Sequence, residues 1–183
     1  MSAEPADLDY ALLRRMARGD EAALAELIRR HERPLYHLAY RLLKDPLEAE
    51  DVLQEVFLKA YEHAGRYRPT GTVRGWLNRI TANHCLNRLR GRNPADPLDE
   101  AAGQTPGPDP TPLEALTAKE LHARLEHLLA GLPENQRRAL VMKQFGGMSY
   151  QEIGELLGVS PQAVDGLIKR ARQTLRRALQ DEL

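Results

Sequence analysis

The chain has 183 residues, room for one large or two small domains, and its 26 Lys plus Arg are matched by 26 Asp plus Glu. Cys85 is the only cysteine, which excludes an intrachain disulfide framework and suits a reducing compartment. An acidic N-terminus without an apolar core speaks against a secretory signal, and no apolar run approaches ~18 residues, so a cytoplasmic chain without a membrane span is expected.

A plain nucleic-acid binder should be basic. The charge here is zero overall but segregated. Residues 45 to 62 hold six acids against Lys59, and residues 66 to 92 hold seven arginines and no acid. Residues 93 to 120 are acidic again, and residues 132 to 180 carry eight bases against four acids. Two basic blocks, each behind an acidic one, point to two nucleic-acid surfaces and a further partner.

Helix formers dominate and no stretch alternates as a strand would, so the expected fold is all-α. A short helix runs to Gly19. A second restarts at Asp20, a capping residue, and Pro34 either kinks or divides it. "DPLEAEDVLQEVFLKAYEHA" opens with Asp45 as cap, Pro46 in the first turn and Glu48 three residues after the cap. Ala49, Val52, Leu53, Val56, Phe57 and Ala60 fall on its apolar face; Glu48, Asp51, Gln54, Glu55, Leu58 and Glu62 fall opposite.

The loop "RYRPTGT" leads into a basic helix, "VRGWLNRITANHCLNRLRGR". Trp76, Leu77, Ile80, His84 or Cys85, and Leu89 are expected on its buried side, with Arg79, Asn83, Asn87 and Arg90 on another. Six of the twelve prolines then fall between 94 and 112. This stretch reads as a flexible linker, 93–112, between two small helical domains, 7–92 and 113–180.

The second domain begins with a helix from about 113 to 130, followed by "PENQRRALVMKQF". Ser149 and Glu152 are spaced as a capping box, Gly158 makes a turn, and Pro161 opens a long basic helix. A short helix, a turn with glycine and a basic helix form the helix-turn-helix arrangement. Ile153, Leu156 and Leu157 would share a core with Val164, Ile168, Ala171 and Leu175.

Enzyme signatures are missing. There is no phosphate-cradling glycine loop, no Gly-x-Ser-x-Gly and no paired-histidine zinc motif. Neither catalytic residues nor metal or other cofactors are expected.

Together these segments resemble the extracytoplasmic-function (ECF) group of bacterial sigma-70 factors. The resemblance rests on Asp51, Gln54 and Glu55 in one motif, on Trp76, Leu77, Arg79, Ile80 and Asn83 in a second, and on the stretch from Leu132 to Leu179, which carries the helix-turn-helix. It implies docking of Glu48, Asp51, Gln54, Glu55 and Leu58 on the β′ clamp helices of core RNA polymerase. It implies −10 DNA binding by Tyr67, Arg68, Arg74, Trp76, Arg79, Asn83, Asn87 and Arg90, with Tyr67 and Asn83 at a pocket for a flipped base. Stacking of this kind is worth roughly 1–3 kcal/mol per base. It implies −35 binding by Gln162, Asp165, Gly166, Lys169, Arg170 and Arg172, contact of the same domain with the β flap, and an anti-sigma partner. Promoter DNA and polymerase are then the partners, and the polymerase supplies the chemistry.

Asp165-Gly166-Leu167 departs from many relatives, which carry a base near this position. Asp165 has two readings: a pair with Lys169 one turn on, or an acceptor for a cytosine amino group. Gly166 is unfavourable inside a helix by ~1 kcal/mol and would mark close approach of the backbone to DNA. Leu167 can be assigned inward. Two other functions fit parts of the chain: a sigma-like mimic that sequesters an anti-sigma factor, and a stand-alone helix-turn-helix repressor.

Overall fold

The computed structural model describes residues 5–91 and 112–181. All secondary structure among them is helical: α1 (Pro5–Met16), α2 (Glu21–Leu43), α3 (Pro46–His63), a 3-10 turn (Ala64–Arg66), α4 (Val73–Gly91), α5 (Pro112–Ala130), α6 (Glu134–Gln144), α7 (Tyr150–Leu157) and α8 (Pro161–Asp181). The expected linker, apart from Pro112, lies outside the described residues.

Local chemistry sets the helix starts. The Asp20 carboxylate accepts from the Ala23 amide at 3.2 Å and that of Asp45 from the Glu48 amide at 3.0 Å. Each fills one of the four amides a helix start leaves unpaired. Ser149 and Glu152 form the reciprocal box at α7, with the Ser149 amide donating to Glu152 at 2.8 Å. Pro34 does not divide α2, which runs unbroken from Glu21 to Leu43.

α2 is the central helix and packs against α1, α3, α4 and α6. Leu27, Leu38 and Leu42 of α2, Val52 and Val56 of α3 and Leu77 of α4 are fully buried between them. α3 buries the expected face, with Leu53 only half-buried at its edge.

The buried side of α4 differs from expectation. Leu77, Asn78, Thr81, Ala82, Cys85 and Leu86 are buried, while Trp76, Ile80, His84 and Leu89 are only half-buried. An apolar count passes over Asn78 and Thr81 because both are polar. Thr81 satisfies itself by donating to the Leu77 carbonyl at 2.9 Å, and Asn78 donates to the Gly146 carbonyl at 2.8 Å. α4 also touches α1, α2, α3 and α7, so no single apolar stripe describes it.

The helix-turn-helix forms as its spacing predicts. Gly158 closes α7 at φ 70°, a left-handed conformation suited to glycine. Gly154 is glycine for a different reason: a Cβ there would lie 2.6 Å from the Val159 carbonyl, so the turn folds directly over it. Ile153, Leu156, Val164, Ile168 and Ala171 are buried; Leu157, Leu167 and Leu175 are half-buried.

The two halves of the described chain meet along a polar seam. Arg41, 5% exposed, brings Nε to 3.0 Å from Glu126 Oε1 and its guanidinium to 4.0 Å over the Phe145 ring. Lys44 Nζ reaches the other Glu126 oxygen at 2.8 Å. One carboxylate thus serves two cations, and losing it would leave a buried guanidinium without its counterion.

Candidate nucleic-acid interface

Tyr67 leaves the 3-10 turn in extended conformation and lays its ring 5.1 Å from that of Trp76 on α4, with Tyr10 of α1 6.0 Å away on another side. Its hydroxyl donates to the Gly71 carbonyl at 2.9 Å, which ties down the loop ahead of α4. Burial, with Tyr10 adding, pushes the Tyr67 phenol up, so it remains a neutral donor. The Thr72 hydroxyl starts α4 by accepting from the Gly75 amide at 3.0 Å.

Together these elements border a cleft of about 810 Å³. Its walls join cations (Lys59, Arg66, Arg68, Arg79), aromatic faces (Tyr67, Trp76) and the Asn83 amide. Cations for a backbone, rings for stacking and an amide for a base edge are what capture of an unpaired nucleotide needs. Five expected −10 residues line this cleft: Tyr67, Arg68, Trp76, Arg79 and Asn83. Arg74, Asn87 and Arg90 do not line it. Arg74 is exposed, and Arg90 donates to Asn87 at 3.0 Å and to the Leu156 carbonyl at 2.7 Å. Arg66 of the arginine block and Thr70 of the loop ahead of α4 line it as well. Lys59 lines it without having been singled out from sequence; it lies on α3, which the acidic pattern assigned to another role.

The expected docking set splits in two. Gln54 and Leu58 border a second groove of about 590 Å³, with Leu24 and Ile28 of α2 and Phe57 and Tyr61 of α3. Leu58 is 60% exposed and adds an apolar side chain to this groove. Asp51 and Glu55 turn toward α4 instead. Glu55 receives Arg88 at 2.6 Å and His84 at 2.7 Å, and Asp51 lies 3.6 Å from Arg88. Glu48 is half-buried beside the α3 N-terminus. Sequence reasoning gave the α2 wall of the groove no role.

Among the expected −35 residues, Gln162, Lys169, Arg170 and Arg172 are exposed on α8. Asp165 and Gly166 are half-buried. Asp165 Oδ2 sits 2.7 Å from Lys169 Nζ, which realises the first of its two readings. The Arg170 guanidinium lies over Gly166, where an added Cβ would meet Nη1 at 3.3 Å.

Cys85 is buried, and burial pushes its thiol up to about 12, far from a reactive thiolate. No described helix is long and apolar enough to cross a membrane.

A helix-turn-helix joined to a second helical lobe with a cationic, aromatic-lined cleft is the arrangement of a nucleic-acid-binding transcription protein. Residues 27–94 match the family model described as Sigma-70 region 2, and residues 122–175 the one described as Sigma-70, region 4. The chain is 41% identical over 165 residues to the ECF RNA polymerase sigma factor SigE of Mycolicibacterium smegmatis, covering 87% of this chain and 64% of that one. It is 34% identical over 181 residues to the RNA polymerase sigma-H factor of Pseudomonas aeruginosa, covering 94% of each. The chain spans just under two thirds of the first relative's length and nearly all of the second's. Among solved structures, CnrH in complex with the cytosolic domain of CnrY matches with a TM-score of 0.64 at 27% identity, over 96% of this chain and 99% of that one. The sigma factor RpoE from Bartonella quintana, in complex with the anti-sigma factor NepR, shares the fold with a TM-score of 0.62 at 19% identity, over 85% of this chain and 96% of that one. The chain belongs to the ECF sigma factors of the sigma-70 family.

Proposed function

We propose that this protein binds core RNA polymerase in the cytoplasm, selects promoters and holds the −10 strand open, without catalysis of its own. The cleft carries the proposal. Tyr67, Trp76 and Asn83 give one extruded base a stacking face and a polar edge, and Arg68 and Arg79 flank it with charge. Capturing an unstacked base lowers the free energy of the melted state, while the polymerase performs nucleotide addition.

The groove beside Gln54 and Leu58 takes the β′ clamp helices. Its apolar floor and rim of Glu32, Glu50 and Gln54 suit an amphipathic helix with basic flanks. The exposed cations of α8 take the −35 duplex, and the same lobe contacts the β flap. The domain limits that fit this division are 7–92 and 113–180. An anti-sigma protein is the natural competitor for these surfaces, in keeping with the bound partners of CnrH and RpoE.

Reconstitution with core polymerase followed by genome-wide run-off sequencing tests the proposal. Initiation at a shared promoter motif is expected. Failure to retain core polymerase would favour a mimic, and tight duplex binding without polymerase would favour a repressor.

A further inference from the structure

α1 carries none of the residues expected at the −10 strand, yet one of its side chains touches the cleft from behind. Tyr10 is half-buried and does not border the cleft. Its ring centroid lies 6.0 Å from that of Tyr67, at an interplanar angle of 49°. Tyr67 is thus the shared member of two ring contacts, the other being with Trp76 at 5.1 Å and 55°. The end of α1 also passes over the 3-10 turn that delivers Tyr67: a Cβ added at Gly65 would lie 3.6 Å from Ala17 Cβ. α1 has only 12 residues, too few to be stable by propensity alone, so packing decides where it sits. Next to Tyr10, the buried Asp9 is held from α2 at both oxygens. Oδ1 lies 3.0 Å from Arg30 Nε and Oδ2 lies 2.8 Å from His31 Nε2. Neighbouring residues leave a helix about 100° apart, so fixing Asp9 against α2 also fixes the direction of Tyr10.

We infer that Tyr10 is a positioning residue of the cleft: it touches no nucleotide itself and sets the ring plane that Tyr67 offers to one. This rests on the reading of that cleft as the −10 site. Tyr67 stands in extended chain just after the 3-10 turn, where its ring would otherwise turn about two side-chain bonds. Three restraints hold it. Trp76 packs against the ring, the Gly71 carbonyl holds the hydroxyl, and Tyr10 meets the ring from α1. Without Tyr10 the ring can swing away from Trp76 about its hydroxyl tether. A base then meets a platform that must be ordered as it binds, and that ordering opposes binding. The base that fits the fixed plane best loses most.

Tyr10 also packs against the core, so its loss can act through stability alone. Two comparisons separate the roles. Tyr10→Phe keeps the ring against Tyr67. Leu13→Val trims the buried face of the same helix and leaves the Tyr10 ring in place. Trp76 is the chain's only tryptophan, so its emission and its quenching by a small solute report on the ring contact directly.

The test uses the full chain, free and assembled with core polymerase. Tyr10→Leu and Tyr10→Met both remove the ring and keep apolar volume at a half-buried position, so the result does not hang on one variant folding. In the free chain, Trp76 is expected to become easier to quench in both. In the holoenzyme, binding is measured to −10 nontemplate-strand oligonucleotides that differ at one base. Affinity for the preferred strand should fall roughly three- to tenfold, the range a single aromatic pair supports, and the ratio to the other strands should narrow. Tyr10→Phe should match wild type in both readouts. Leu13→Val should lower the melting temperature while leaving quenching and base preference as they were. Wild-type quenching and base preference in the leucine and methionine variants would overturn the proposal. So would the same two changes in Leu13→Val, because α1 would then act through stability alone. Strand binding that needs Tyr67 and ignores Tyr10 would overturn it as well. If Trp76 responds as expected while Tyr67→Ala leaves strand binding intact, the −10 reading fails and the positioning of Tyr67 by Tyr10 stands.

Discussion

Glu55 of α3 and Arg88 of α4 meet at 2.6 Å, with His84 completing the contact from one turn earlier. A residue assigned to polymerase docking is thereby fixed by a helix assigned to DNA. Desolvation acts to raise the Glu55 carboxyl, but hydrogen bonds from Arg88 and His84 outweigh it and hold the group below its ordinary value of 4.5. The folded chain therefore binds this proton less readily than the unfolded one. The contribution to stability is full above pH ~4.5 and is lost as pH falls through the lowered folded value. Thermal melting of wild type and Glu55→Gln across that window should show a wild-type advantage that shrinks with acid. A constant difference would mean the pair does not link protonation to folding.

The Tyr67 hydroxyl separates two roles that alanine would merge. Tyr67→Phe keeps the ring against Trp76 and removes only the bond to the Gly71 carbonyl. Stacking should survive, while the loop ahead of α4 loses its tether. The expected outcome is a roughly threefold relaxation of −10 base preference, measured with a promoter library. Asn83→Ala should instead reduce open-complex formation on every sequence. Core affinity should hold in both variants, and a loss of core binding in either would reverse the assignment of the two surfaces.

Much of this was legible where the physics is local. Asp45 with Glu48, and Ser149 with Glu152, announce helix starts because a cap and its amide lie three residues apart. The helix-turn-helix follows from Gly158 and the apolar spacing on each side. The cleft was readable only as a list of residue types, through a family resemblance. What escaped was non-local and polar. Nothing in the sequence near Arg41 signals that Glu126 will neutralise it, and Asn78 gives no sign of facing Gly146. The α2 wall of the second groove was hidden too: Leu24 and Ile28 are half-buried apolar residues, and nothing in their own segment shows that Gln54 and Leu58 of α3 will lie beside them.

His37 gives the seam a pH dependence of its own. Burial, then the charges of Arg41, His122 and Arg33, hold it below the ordinary imidazole value of 6.5, with Glu126 opposing them. The His122 ring lies 5.9 Å away and Tyr36 packs edge-on at 6.0 Å. Folding thus disfavours protonation, so stability rises with pH through this window and is lost as pH falls below ~6.5 toward the folded value. Between about pH 7.5 and about pH 5, wild type should lose more melting temperature than His37→Gln. Parallel curves would show that the seam does not sense this proton.

Asp165 offers the sharpest test on α8. Its carboxylate holds Lys169 at 2.7 Å, and that contact raises the lysine's pKa, so the acid directs a cation that duplex DNA also seeks. In Asp165→Ala, Lys169 is free to meet a phosphate. Each phosphate neutralised adds about 0.9 to the slope of log affinity against log salt. If the acid only restrains Lys169, the variant should bind −35 duplexes more tightly at low salt, with a slope steeper by roughly that amount and sequence preference unchanged. If the acid reads a cytosine amino group, the variant should lose preference at one base pair, at a cost of about 1–3 kcal/mol, with the slope unmoved. The observed pairing with Lys169 favours the first outcome, because a carboxylate already engaged along its own helix must give up that contact to reach a base.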